Sequence, residues 1–249
     1  MIMQPVRRQG SSAGEAMLRY YEALFARLGP QRWWPAKTRL EVILGAILTQ
    51  NTNWNNASIA LRRLRRAGLL KFTELRRVSN TELEACIRPA GFYHQKVRTI
   101  KAFLELVAFS ASGSLARFFN QPSEDLRRKL LGVPGLGPET ADAILLYAAR
   151  QPYFVADAYT RRILSRHGLI SPQAGYAETQ DFIHQHLPRD ERLYNEFHAL
   201  LVGIGKQHCR RNAALCPGCP LEEFLPQEEG WYRGKATAAG PLQPDAPPA

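Results

Sequence analysis

The chain has 249 residues, with 33 lysines and arginines against 22 acidic residues and a formal net charge of +11. That is the electrostatic profile of a polyanion binder. A hydrophobic fraction of 45% can bury a sizeable core. No stretch approaches a membrane span, and the first sixteen residues lack the apolar segment of a secretory signal, so the expectation is a cytoplasmic protein, nucleoid-associated if prokaryotic, with no membrane partner. Of the four cysteines, Cys209, Cys216 and Cys219 crowd into eleven positions. A disulfide framework is therefore not expected, and a metal or cluster site becomes the first alternative.

In chain order, the first dozen residues read as loose. Leu40, Ile43, Leu44, Ile47 and Leu48 recur at helical spacing, as do Ile100, Phe103, Leu104 and Val107, which predicts an all-α fold. Arg62, Arg63, Arg65, Arg66, Lys71, Arg76 and Arg77 form a basic run of the kind that more often makes a solvated face than a binding groove. Ser123, followed by Glu124 and Asp125, predicts a capped helix running through Leu130 and Leu131. A second helix is predicted from Pro138 to about Ala149. Tyr153-Phe154-Val155-Ala156 reads as a short extended link, and a helix follows over 158–167. From Pro226 onward proline, alanine, glycine and glutamine replace the periodic pattern, predicting a disordered tail over 226–249.

Between the two helices flanking it, Val133-Pro134-Gly135-Leu136-Gly137 places two glycines where a tight turn needs positive φ or close approach of another backbone. Pro138 suits the first turn of the helix behind it. The amides of Gly135 and Gly137, backed by that helix N-terminus, would suit a phosphate, although such a turn also serves as a plain connector. Asp157 lies eighteen residues after Glu139, at a predicted helix start, where the ordinary task of an aspartate is to cap.

Five segments in this order carry a resemblance: Ala46-Ile47-Leu48-Thr49-Gln50-Asn51-Thr52, Gly91-Phe92-Tyr93-His94-Gln95-Lys96, the glycine hairpin, the Asp157 segment, and the Cys-x6-Cys-x2-Cys spacing. The chain resembles the helix-hairpin-helix DNA glycosylases of the endonuclease III superfamily over nearly everything from Tyr20 to Phe224. The fold this implies is two helical domains with a cleft between them. A helical barrel with the hairpin would span 31–151, and 14–30 would join 152–225 as a second domain carrying the cysteine loop. Asp157 occupies the position of the catalytic aspartate in that family. Gln50 and Phe92 would lie on loops that enter the duplex, and Val133, Gly135, Gly137, Glu139 and Thr140 would grip DNA. The implied partner is double-stranded DNA with a damaged base, met by a monomer.

The chemistry also follows from residue types. An enzyme that acts on a stacked base must extrude it, and breaking the N-glycosidic bond builds positive charge on the sugar that a carboxylate in a dry cleft stabilises. Bifunctional members place a lysine in the hairpin that forms an imine, whereas this chain has Glu139, which cannot. The expectation is therefore a monofunctional enzyme using water. Trp33-Trp34-Pro35, with the 48–54 segment, resembles the subgroup that excises 3-methyladenine, the 3-methyladenine DNA glycosylase III-like proteins. Aromatic faces can select a cationic alkylated purine by about 0.5–2 kcal/mol per contact, though the two tryptophans could equally plug a domain junction. Lys206 could stand near this base pocket or simply on the surface. Cys209, Cys216 and Cys219 match three of the four ligands of a [4Fe-4S] cluster, with Leu225 at the fourth position. A cluster with an unusual fourth ligand, a zinc site completed by His208, and a metal-free loop all remain open. Cys86, His184 and His186 are poor substitutes by position.

Overall fold

The computed structural model describes residues 12–226. The predicted tail, apart from Pro226, lies outside the described residues. Twelve α-helices run through the described residues: α1 (Ala13–Leu28), α2 (Arg39–Thr49), α3 (Trp54–Arg66), α4 (Phe72–Arg77), α5 (Asn80–Ile87), α6 (Tyr93–Ala111), α7 (Leu115–Phe119), α8 (Ser123–Leu131), α9 (Pro138–Ala143), α10 (Ala158–Arg166), α11 (Tyr176–His186) and α12 (Glu191–Gln207). Among these residues the only β pairing is an isolated antiparallel bridge between Cys209 and Ala214. The chain is all-α, as its periodicity predicts.

Local chemistry sets the helix boundaries. Ser12 and Glu15 form a reciprocal capping box on α1, and Thr38, Asn53, Ser79, Ser114 and Asp190 each accept a backbone N–H at the start of α2, α3, α5, α7 and α12. Each cap satisfies a donor that the first helical turn leaves unpaired. The prediction that Ser123 caps α8 is corrected: Pro122 is the N-cap, Ser123 is the first helical residue, and Glu124 and Asp125 supply the favourable charge in the first turn.

Helix α2 is buried from Leu40 to Leu48 because it packs against α3, α6 and α9 together. Its one buried charge, Glu41, receives Arg65 at 2.7 Å. At the other end of the molecule α1 lies on α11 and α12, so residues from both ends of the chain share one layer. Two residues of the basic run pair within the fold: Arg65 with Glu41, and Arg76 through two bonds to Glu105.

The second hairpin helix differs from its expected form. α9 ends at Ala143 and Ile144–Ala149 continues as a π-helical segment, fully buried against α2, α8 and α12. Such widened turns reorient the side chains they carry and cluster at functional sites. Here the side chain that it carries into the interior is Tyr147.

Candidate active site

The hairpin is built from α8, the turn 132–137 and α9. Gly135 has φ +87°, and a Cβ there would stand 2.2 Å from Thr99 Oγ1, whose hydroxyl donates to the Pro134 carbonyl at 2.9 Å. Glycine is required at that place for both reasons. Gly137 corrects the reading of two constrained glycines: its φ is −83° and a Cβ would meet only open space. Val133 packs its side chain into the core with Leu136, its N–H donates to the Leu130 carbonyl and its carbonyl accepts the Leu136 N–H, both at 3.0 Å. Among the described residues the amides of Gly135 and Gly137 donate to no protein acceptor.

Two loops flank the hairpin. Gln50 Nε2 donates to the Gly135 carbonyl at 2.9 Å and to Thr140 Oγ1 at 2.8 Å, so its amide is tied to the hairpin and must release before it can enter a duplex. Phe92 takes φ +45° and is 60% exposed, which sets it apart from the core aromatics. Buried Lys96 links these loops, its ammonium donating to the carbonyls of Leu48 at 3.0 Å and Ala90 at 2.8 Å. Burial pushes that ammonium down to about 8.

Asp157 lies at the end of a non-helical segment over 151–157. That segment is pinned by Gln180 Nε2, which donates to the Phe154 carbonyl at 2.6 Å, and by the Phe154 N–H, which donates to His184 Nε2 at 3.0 Å. Asp157 is both cap and candidate catalyst. Its Oδ1 accepts the Thr160 N–H at 2.8 Å, while Oδ2 faces His198 Nε2 at 3.5 Å inside the protein. Desolvation by itself would raise its carboxyl, but His198 beside Oδ2 and the bonds from Thr160 outweigh it and hold the group below the usual carboxylate range. Glu139, exposed on α9, stands close enough to Asp157 for the two carboxyls to interact. Desolvation by the surrounding protein and the charge of Asp157 push its carboxyl up, against His198 and Arg161. The two carboxyls are thus driven apart, one anionic and one more readily protonated.

Trp33 and Trp34 are half-buried beside this pair. With Trp54 and Tyr147 they make an aromatic group whose ring centroids lie 5.3 to 6.5 Å apart. Gly45 allows it, because a Cβ there would press on Trp34 Nε1 at 3.0 Å. The indole N–H groups of Trp33 and Trp34 are buried without a hydrogen-bond partner, unlike those of a satisfied core plug. Lys206 is exposed at the surface with its Nζ 5.7 Å from the Trp33 ring centroid, and desolvation by the neighbouring protein lowers its ammonium, partly offset by Asp157. Pro35 is exposed at the rim. Sequence reasoning missed Tyr147 and His198; the available signal was a histidine on the apolar stripe of α12, between Phe197 and Leu201.

The cysteine loop packs on α10. Cys209, Cys216 and Cys219 line a narrow cavity with Arg166, His167, His208 and Leu225, so an apolar side chain stands where the fourth thiolate would be. Arg166 donates to the Cys209 thiol at 3.2 Å and to the carbonyls of Arg210 and Arg211, and Arg162 donates to the Cys209 carbonyl at 2.7 Å. His208 Nδ1 lies 2.9 Å from the Leu215 carbonyl. Among the described residues no group of three or more His, Cys, Asp or Glu side chains is arranged to hold a metal ion. The residues do not fit a closed four-thiolate centre; guanidinium groups brace the loop. Purified protein is expected to hold well under one equivalent of iron and to keep its melting temperature in chelator. Stoichiometric iron with an absorbance band at the blue end of the visible spectrum would contradict this.

An all-helical fold with a glycine hairpin, a buried aspartate and an aromatic group beside it fits the class of helix-hairpin-helix DNA repair proteins. Residues 44–189 match the family model described as HhH-GPD superfamily base excision DNA repair protein, and the chain belongs to that superfamily. It is 41% identical over 212 residues to a Methanocaldococcus jannaschii protein described as a DNA repair glycosylase, covering 84% of this chain and 96% of that one. Endonuclease III of Sulfolobus acidocaldarius is 27% identical, over 76% of this chain and 82% of its own. Among solved structures, an H. pylori 3-methyladenine DNA glycosylase (MagIII) bound to 1,N6-ethenoadenine superimposes with a TM-score of 0.68 at 26% identity, covering 79% of this chain and 98% of that one. A non-covalent endonuclease III–DNA complex shares the fold, with a TM-score of 0.73 at 19% identity over 86% of this chain and 96% of that one.

Proposed function

We propose that this protein is a monofunctional DNA glycosylase that acts as a monomer on duplex DNA, hydrolysing the N-glycosidic bond of a flipped-out alkylated base of the 3-methyladenine type. The observation that carries the reading is Asp157, a buried carboxylate held anionic in a cleft whose hairpin offers Glu139 in place of lysine. The open space at Gly137 and the free amides of the turn suit a phosphate of the strand being held. The exposure of Phe92 supports a role for it in filling the gap left by the extruded base. In the cleft the glycosidic bond breaks with its electron pair going to the base. Water bonds to the sugar carbon and gives up a proton, for which Asp157 is the acceptor, its charge having stabilised the cationic sugar. An alkylated purine already carries positive charge, so the Trp33 and Trp34 faces favour it and no general acid is needed.

One observation supports a second reading. Lys206, with its ammonium lowered and held beside Trp33, is an amine near the cleft that could form an imine and give lyase activity on another lesion. Borohydride reduction during turnover separates the two. The proposed reading predicts no protein–DNA adduct and strand scission only after alkali; an adduct lost in Lys206→Ala would establish the lyase.

A further inference from the structure

We propose that Tyr147 and His198 form a positioning relay for Asp157, in which the Tyr147 hydroxyl fixes the imidazole so that Nε2–H is aimed at Oδ2 of Asp157. The inference rests on the glycosylase reading above and names the residues that hold its carboxylate in place. Three observations, in different elements, meet at one point. The π-helical segment over 144–149 turns Tyr147 inward, where its hydroxyl bonds His198 Nδ1 in a fully buried contact. His198, on α12, is buried, and its other nitrogen has no hydrogen-bond partner at normal distance, although Oδ2 of Asp157 is 3.5 Å away. Asp157 in turn has Oδ1 committed to the Thr160 N–H, which leaves Oδ2 as the oxygen facing the imidazole.

The tautomer follows from the chemistry of the two ends. Burial raises the Tyr147 hydroxyl well above its ordinary value, so it stays protonated and can donate to Nδ1, and the ring proton then sits on Nε2. A gap of 3.5 Å is longer than a hydrogen bond and short enough to close with a small shift of either group. A buried donor held just short of its acceptor stabilises charge on that acceptor without the reorganisation water would need. Asp157 is also faced by Glu139 from α9 and Lys206 from α12, Arg161 of α10 acts on Glu139, and Glu196 acts on Tyr147. Of these groups His198, beside Oδ2, is the one that acts most strongly to hold the carboxyl down. Trp34, 5.3 Å from Tyr147 between ring centroids, ties the relay to the aromatic pocket.

The test is single-turnover base release from a duplex containing 3-methyladenine, with duplex affinity and thermal unfolding measured on the same preparations. His198→Leu is expected to lower the release rate by about 10²-fold with affinity unchanged, and to move the acid limb of the rate profile to higher pH, because Asp157 loses the partner that keeps it ionised. His198→Gln, which restores an N–H at similar reach, should recover most of the rate, and Tyr147→Phe should fall between. Wild-type release and an unshifted acid limb in folded His198→Leu, beside an inactive Asp157→Asn, would overturn the relay while leaving the glycosylase reading intact. Asp157→Asn as active as wild type would instead overturn the reading on which the relay stands.

Discussion

Asp142→Ala should cost about 3–5 kcal/mol of stability, the range for breaking a buried ion pair from one side. This aspartate is fully buried on α9 and accepts four bonds: two from Arg127 of α8 at 2.7 and 3.1 Å, one from the Tyr176 hydroxyl at 2.8 Å and one from Gln180 Nε2 at 2.7 Å. Removing it takes the acceptor from the Tyr176 hydroxyl and from one Gln180 N–H, and leaves the Arg127 guanidinium beside the face of Tyr153, 5.6 Å away. Because Gln180 also pins the carbonyl of Phe154, three residues before Asp157, the loss would loosen the segment that carries Asp157 as well as the hairpin. Denaturant unfolding reads the change. A shift under about 1 kcal/mol, the scale of a surface pair, would mean that the network does not join these elements.

How much of this was legible in the sequence depends on the range of each interaction. Helix periodicity is local, so the buried stripes of α2 and α6 follow from Leu40 to Leu48 and Ile100 to Val107 without any tertiary knowledge. Asp157 could be singled out because its distance from the glycine hairpin and its place at a helix start are both written along the chain. Its partner could not. Tyr147, Asp157 and His198 come from three elements, and only packing brings them together. The π-helical turn that aims Tyr147 leaves no mark, because Ile144 to Ala149 reads as an ordinary apolar helix. The same holds for Gln50, whose loop was expected to enter the duplex and whose amide is held by Gly135 and Thr140 of the hairpin. Glycine supplies a finer case: Gly135 and Gly137 look equivalent in sequence, yet Thr99, distant in the chain, makes only the first obligatory. For the cysteine loop the absent fourth ligand was plain from Leu225, whereas the bracing by Arg162 and Arg166 needed coordinates.

The second large effect concerns chemistry. Asp157→Asn keeps a side chain of the same shape, and its amide oxygen can still accept the Thr160 N–H, so the fold and the start of α10 should persist. What disappears is the negative charge facing the developing sugar cation and the acceptor for the proton of water. Loss of one such preorganised group costs about 10²–10³-fold in rate, and the loss of the proton acceptor adds to it. The measurement is single-turnover release of 3-methyladenine from duplex DNA by wild type and Asp157→Asn, at enzyme concentrations that saturate the duplex. The account predicts release by the wild type and a fall of at least about 10²-fold in the variant, with duplex binding retained. Equal release by the two proteins, or none from either across a panel of damaged bases, would contradict it.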